Sequence, residues 1–550
     1  MKKQSEANAE IAARHLKELE KCISSRSNIE SNWRDTSEMF WPGHKTLFGA
    51  RGHATKGEKR NGKIYDSTPV QALSRFAAIL DSLLTPRNAT WHRLKPSNPD
   101  LLKDRETKLW FDEANKLLFK YRYAPKANFA SQNQDVYQHL GGYGSACMFT
   151  DKLRGRGEKG LRYKSCFIGE IFFKENHQGI VDTVLRYYPM TARQAEQKWG
   201  ADKLPEAIVK KLEKDPECEF QFLHVVKPRE DVDPDRVDFK GMPFASYYIS
   251  EEGKHLVDEG GYTSFPYSTP RYRQAPNEVF GRSPAMDAYP AARTLNEEKK
   301  TQLKVGQRIV DPVLLAFDDG VMDDFSLRSG AVNYGGLDSQ GRELVKTLKT
   351  GNYQVGKDLM ELEKNDINDI FLVSLFQILA ENPQMTATEV VERTKEKGML
   401  LAPTVGRQQS EYLGPMIERE LDVLSEQNLL PAMPPAMIEA QGEYEIEYES
   451  PLSRAQKAEE TSGLMRSVEF TLQVVNVTQN PAPLDHYDWD VIIPEVADQQ
   501  GVPAKWRRSI DEVQQIRQGR AEQQQAQQAV EAAPGVAALA NSATKAESAQ

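Results

Sequence analysis

Two acidic pairs, Asp318-Asp319 and Asp323-Asp324, are of a residue type that could hold a metal ion or act as general acids. Adjacent positions of an extended chain point to opposite sides, and no histidine stands beside these pairs, so a shared ligand geometry is not implied. They read as a solvated or subunit-facing acidic loop. The four cysteines, Cys22, Cys147, Cys166 and Cys218, form no CxxC pair, and nine histidines are scattered without an HExxH. Neither a zinc ribbon nor a disulfide framework is expected, and a reducing compartment fits. Cys147 and Cys166 each sit among aromatics, as small core residues do. The glycine cluster GGYGS at 141–145 lacks both the Gly-Lys-Thr/Ser ending of a phosphate loop and the full GxGxxG spacing, and reads as a turn. There is no GxSxG, SxxK or Walker sequence. A nucleophile needs a base within hydrogen-bond reach, and no spacing here supplies one. The expectation is a non-enzyme, with no catalytic, cofactor-binding or metal-ligating residue and no cofactor.

The bulk of the chain sets further bounds. It has 550 residues, 39% hydrophobic and 27% charged, and a formal net charge of −9. The pI is about 5.7 and the mean hydropathy −0.62. That length favours several packing units. A protein that grips nucleic acid tightly presents a concentrated basic surface, so a sequence-reading DNA binder is not expected. The basic exception is the loop holding Lys45, Arg51, Lys56, Lys59, Arg60 and Lys63, which suits either a solvated connection or contact with phosphates or a partner. No apolar run reaches the roughly 20 residues that a bilayer demands. The charged opening MKKQSEANAE lacks the apolar centre of a secretory signal.

The elements that would position any site follow from periodicity. Residues 7–30 read as a helix, and Pro69 opens another whose apolar side is Val70, Leu73, Phe76, Ala77, Leu80, Leu83 and Leu84. A third covers 101–119. From 141 to 262 aromatic and β-branched stretches alternate with turns, predicting antiparallel strands interrupted by short helices at 191–199 and 203–213. Ser283 and Pro284 are placed to start a helix that Pro290 should bend or restart. Residues 306–356 read as a strand-and-loop insertion, and DINDIFLVSLFQIL at 366–379 as a short helix buried on more than one side. Thr386 and Glu389 form a capping box for a long helical region, with bends at Gly398–Pro403 and Gly414-Pro415. EYEIEYE at 443–449 alternates as a half-exposed strand does, 451–475 is helical, and 495–520 holds short helices. The Ala- and Gln-rich end, 521–550, is disordered or a helix only in company.

Several segments, in order, resemble the head-to-tail connecting, or portal, proteins of short-tailed bacteriophages. They are SLLTPRNATWHRL at 82–94, GRSPAMDAYPAARTLNEEKKTQ at 281–302, TATEVVERTKEKGMLLAP and LGPMIERELDVL within 386–424, ESPLSRAQKAEE at 449–460, and HYDWDVIIPEVADQQGVPAKWRRSIDEVQQIRQGR at 486–520. The resemblance implies an α+β ring subunit with an α/β wing, a two-helix stem, a small clip insertion and a helical crown. By region it implies a wing over 1–280, stem helices at 281–305 and 357–380 flanking a clip at 306–356, and a channel loop at 381–386. It further implies a wing helix and remaining wing over 387–489, a crown at 490–520, and a tail at 521–550 too short for a long barrel.

The same resemblance implies a homo-oligomeric ring, commonly of about twelve copies, at the capsid portal vertex of the virion. Such a ring is made in the host cytoplasm, touches no membrane, and passes double-stranded DNA during packaging and ejection. Its partners are the terminase large subunit, then the tail adaptor, with capsid or scaffolding proteins around it. Glu297, Glu298, Lys299 and Lys300 on the first stem helix, with Asn382 and Gln384 in the channel loop, are the candidates to face DNA. Ile370, Phe371, Leu375, Phe376 and Leu379 are the candidates for the subunit interface, because a short helix apolar all round is satisfied when its second side meets an identical neighbour. The other reading is a structural ring-forming adaptor or scaffold with no DNA channel.

Overall fold

The computed structural model describes residues 2–44, 62–98, 104–153, 157–236, 238–315, 336–348, 353–373, 402–440, 442–449, 451–499 and 512–524, with single residues and pairs between them. The acidic pairs at 318–319 and 323–324, the capping box at Thr386, the basic residues 45–60, and Asn382, Gln384, Leu375, Phe376 and Leu379 all lie outside the described residues. The chain divides into two units, Met1–Trp91 with Lys120–Leu429, and His92–Phe119 with Leu430–Gln550.

The first unit is built around a five-stranded antiparallel sheet in which sequence neighbours are also spatial neighbours. Its strands are β4 (Ile171–Glu175), β5 (Val181–Thr191), β6 (Glu219–Pro228), β7 (Phe244–Ser250) and β8 (His255–Tyr262). Side chains alternate across a strand, so Leu223 and Val225 of β6 face one side while Phe222 faces the other. The first side packs against Ala12 and Leu19 of the N-terminal helix Lys2–Phe40. The second is covered by the helices Ala192–Trp199 and Glu206–Lys214 through Ala192, Ala195 and Ile208. Thr191 starts the first of these with a full capping box to Gln194. The expected antiparallel strands and both short helices are therefore present; the N-terminal helix runs ten residues past the expected 30, to Phe40.

A second sheet, β3 (Leu161–Ser165), β2 (Met148–Lys152) and β9 (Tyr267–Ser268), shares a core with the N-terminal helix through Trp33, Tyr143, Cys147, Cys166 and Tyr267. Cys147 and Cys166 are fully buried there, as read from their aromatic neighbours. The GGYGS cluster is only partly the turn it was read to be: Gly141, Gly142 and Tyr143 are the last turn of a helix, and the chain turns at Gly144. The helix Phe129–Tyr143 ends in Gly144 at φ +76°, and a Cβ on that residue would stand 2.5 Å from the Gly281 carbonyl oxygen, so glycine is required for both conformation and space.

After the sheets comes a long helix, Pro284–Val310, capped by the Ser283 hydroxyl, which accepts from the Met286 amide at 3.1 Å. Pro290 neither ends nor restarts it. One missing backbone donor is outweighed where Ala285, Ala288, Ala291, Ala292 and Leu295 are buried along the same side. The insertion that follows holds a two-residue strand pair, Leu314–Leu315 with Lys346–Thr347, as its glycine-rich composition suggested. The returning helix, Tyr353–Ile370, starts earlier and ends earlier than expected. Phe371 drops into the core between Phe40 and Phe76, at ring separations of 5.4 and 5.8 Å, and Leu372 takes a left-handed φ of +59°, which no α-helix tolerates.

The helical stretch 402–426 closes the first unit. A π turn at Gln409–Leu413 stands immediately before Gly414-Pro415, where a bend was expected. Pro415 has no amide to give, and the widened turn absorbs that missing bond.

The second unit is organised by a two-stranded antiparallel pair, β1 (His92–Pro96) with Tyr444–Tyr448, in which Leu94 stands opposite Ile446 and His92 opposite Tyr448. The alternation of EYEIEYE thus sorts as read, apolar residues to one side and glutamates to the other, where Glu449 pairs with Arg93 at 2.8 Å and Glu447 with Lys95. The helices Pro451–Thr478 and Trp489–Gln499 follow. Phe470 and Val477 of the first are well exposed.

Candidate functional surface

The most distinctive surface of the first unit is the pair of antiparallel helices Pro284–Val310 and Tyr353–Ile370 with the insertion between them. Glutamine and glycine set their closest approach. The Gln302 side-chain amide donates to the Tyr353 carbonyl at 2.6 Å, and a Cβ on Gly356 would lie 2.4 Å from Gln302 Oε1. Further along, Glu298 faces Glu363; burial first, and then the charge of Glu363, raises its carboxyl above the usual range. The upper part of the pair is tied to the segment before helix Thr68–Leu84. Asn296 accepts from the Tyr65 amide at 2.7 Å and donates to the Lys63 carbonyl at 3.0 Å, while Lys364 reaches Asp66 at 3.4 Å. Burial alone would raise Asp66, but hydrogen bonds from Thr68 and the Lys364 charge hold it below the ordinary value.

The four charged residues expected to act together do not share a face. Successive helix positions are about 100° apart, so the four spread around the helix: Glu298 and Lys299 turn to opposite sides, while Glu297 and Lys300, three positions apart, are neighbours on the outer side. Glu297 and Glu298 line a groove with Thr301 and Leu359. Lys299 lines a separate groove with Leu303, Val310 and Tyr353. Lys300 straddles the outer ridge, 3.2 Å from Glu297 and with its ammonium 5.8 Å from the Tyr65 ring. Of the interface candidates within the described residues, Phe371 is fully buried by its own chain and Ile370 half-buried. The apolar side chains left in water lie elsewhere. Leu303 and Val310 on the first helix, Val355, Leu359 and Leu362 on the second, and Val332 and Tyr334 in the insertion are all about half exposed or more.

Behind this surface, long-range ion pairs fix the scaffold. Arg122 Nε donates to both carboxylate oxygens of Glu420 at 3.0 and 3.2 Å, the Tyr163 hydroxyl donates to the same carboxylate at 2.6 Å, and the guanidinium lies 4.6 Å from the centre of the Trp91 ring. Both charged side chains are wholly enclosed. Burial works against the charge on Arg122, but Glu420 outweighs it and raises the guanidinium further. Arg271 holds the root of helix 402–426: its backbone amide and guanidinium bond Glu411 at 2.8 to 3.1 Å, its other arm pairs with Glu175, and its carbonyl accepts from Gln408 at 2.9 Å. Sequence reasoning did not find these residues, since partners 96 to 298 positions apart leave no local pattern.

Two residues with reactive side chains, His224 and Cys147, are buried in the scaffold. His224 sits between the Tyr267 hydroxyl at 2.7 Å and the Ser246 hydroxyl at 3.0 Å, stacked on Tyr248. Burial pushes the Cys147 thiol far above its ordinary range. Among the described residues, no group of three or more histidine, cysteine or acidic side chains is arranged to hold a metal. No helix among them is long and apolar enough to cross a membrane.

Comparison with known proteins places this surface in context. The family of bacteriophage head to tail connecting proteins matches residues 12–507. The chain belongs to that family. Among curated proteins, the connector chain is similar to a probable portal protein of Bordetella phage BPP-1, 29% identical over 492 residues that cover 87% of this chain and 85% of the relative. It is also similar to the portal protein of Salmonella phage epsilon15, 27% identical over 497 residues, 89% of this chain and 87% of that one. The family match runs through both units of the connector, so the helix pair, the insertion and the sheet scaffold all fall within the matched residues.

Proposed function

We propose that this connector chain is a portal vertex subunit. Identical copies close into a ring whose axial channel admits double-stranded DNA during packaging and releases it at ejection. The ring docks the terminase motor first and the tail adaptor afterwards. The observation that carries this reading is the apolar surface left in water on the helix pair and its insertion, in a chain whose relatives are portal proteins. A free subunit that exposes both helices in this way gains by covering them with copies of itself.

In this reading the helices Pro284–Val310 and Tyr353–Ile370 are the stem, the insertion between them is the clip that meets motor or tail, and residues 490–520 form the crown. The net charge of −9 suits passage, because strong phosphate neutralisation would hold DNA in place. The chain itself performs no chemistry; hydrolysis belongs to the motor. The test is an averaged end-on electron-microscope view of the purified protein. Closed rings with an open axial bore are expected. Closed rings without a bore would favour a structural adaptor, and a monodisperse single chain that fails to assemble with its shell components would overturn the proposal.

A further inference from the structure

Building on the ring reading, we infer that the helix pair is a charge-segregated adhesive with two unlike faces. The face bearing Glu298 and Asp366 in one copy seats against the opposite face, bearing Lys299 and Lys357, of a second copy of this chain.

The geometry assigns the faces. The seam between the helices runs through Gln302 and Gly356, with Met360 and Ile367 buried along it. Relative to that seam, Leu303 and Val310 lie roughly a quarter turn to one side of the first helix, and Lys299 with them. Val355, Leu359 and Leu362, each one turn from the next, lie roughly a quarter turn from the seam on the second helix. Because the helices are antiparallel, the two rows turn to opposite sides of the pair. The grooves confirm the division: Leu359 lines the one that contains Glu297 and Glu298, and is absent from the one that contains Lys299 and Leu303.

Charge sorts with the same division. Glu298, Glu363 and Asp366 fall on the Leu359 side; Lys299, Lys357 and Lys364 fall on the Leu303 side. Each face therefore joins an exposed apolar row to a predominant sign of charge, with Arg293 the exception in the acidic groove and Asp311 the exception in the basic one, and the two predominant signs are opposite. A two-fold dimer would press like face on like face, carboxylate against carboxylate. A single foreign partner would cover one face and leave the other in water. A second copy placed head to tail covers both, with opposite charges across the contact.

The test uses the full chain in two variants. Glu298→Lys with Asp366→Lys makes both faces basic; Lys299→Glu with Lys357→Glu makes both acidic. The proposal expects neither variant to form rings on its own, the concentration for half assembly rising by at least about tenfold. It expects an equimolar mixture to assemble into rings of alternating composition, read by native mass spectrometry. If wild type closes into rings and either variant assembles alone as well as wild type, the face assignment is overturned while the ring reading stands. If both variants are folded by circular dichroism and their mixture stays unassembled, it is overturned as well. A wild type that forms no ring sinks the underlying reading instead. Should a reversal prevent folding, the neutral variants Glu298→Gln with Asp366→Asn and Lys299→Gln with Lys357→Gln replace it. Their assembly is then expected to lose the salt dependence of wild type, and an unchanged salt dependence would refute the proposal.

Discussion

Arg122 and Glu420 form an ion pair in which neither side chain is exposed to water, with the Tyr163 hydroxyl completing the carboxylate's shell. Removing both charges from water is costly, and their attraction offsets that cost only while each has its partner. Glu420→Ala, which strands the guanidinium, should destabilise the first unit by about 3–5 kcal/mol. The paired change Arg122→Met with Glu420→Leu should cost far less or stabilise. Urea unfolding followed by tryptophan fluorescence decides this, since Trp91 packs on the guanidinium.

Arg271 binds Glu411 through a planar fork that lysine cannot reproduce. Arg271→Lys should keep the fold but loosen the π turn Gln409–Leu413, so that amide hydrogen exchange at 408–413 quickens by about tenfold or more while β5 and β6 are unchanged. Equal protection in both proteins would show that the fork does not hold the helix root.

Gly144→Ala meets two obstacles together, a left-handed φ and the Gly281 carbonyl. The loss should exceed about 1 kcal/mol, measurable as a lowered unfolding midpoint. The same substitution at Gly43, which has open space and no left-handed φ, serves as the control and should be nearly silent.

Glu18 sits between His15 and Lys174, and the hydrogen bond from His15, with further help from Lys174 against the effect of burial, lowers its carboxyl from 4.5 to about 2. A depressed folded-state value means that the carboxylate stabilises the fold above 4.5 and that this contribution fades as pH falls toward 2. The stability difference between wild type and Glu18→Gln should therefore be constant above pH 5 and shrink steadily below it. A difference independent of pH between 5 and 2 would exclude the linkage.

Much of the scaffold could be read from local pattern, because its causes are local. The Ser283-Pro284 start, the alternation in EYEIEYE, and the aromatic strands between 171 and 262 each depend on neighbours within a turn or a pleat. The end of helix Tyr353–Ile370 was not legible, because it is set by Phe371 finding Phe40 and Phe76 far away in sequence. The charged quartet 297–300 shows the same boundary. Its helical phase was visible from the start, but the direction of the partner helix, which divides it into two faces, appears only when Gln302 meets Gly356.

The pairing of His92–Pro96 with Tyr444–Tyr448 also bears on biosynthesis. A ribosome that has delivered the first of these strands must translate the whole intervening chain before the second emerges. At about 5–20 residues per second that is on the order of twenty to seventy seconds. Throughout that time the early strand has an unfilled edge, open to other nascent chains. The second unit thus matures last, and a truncated product ending before Tyr444 would carry that open edge permanently into the cell.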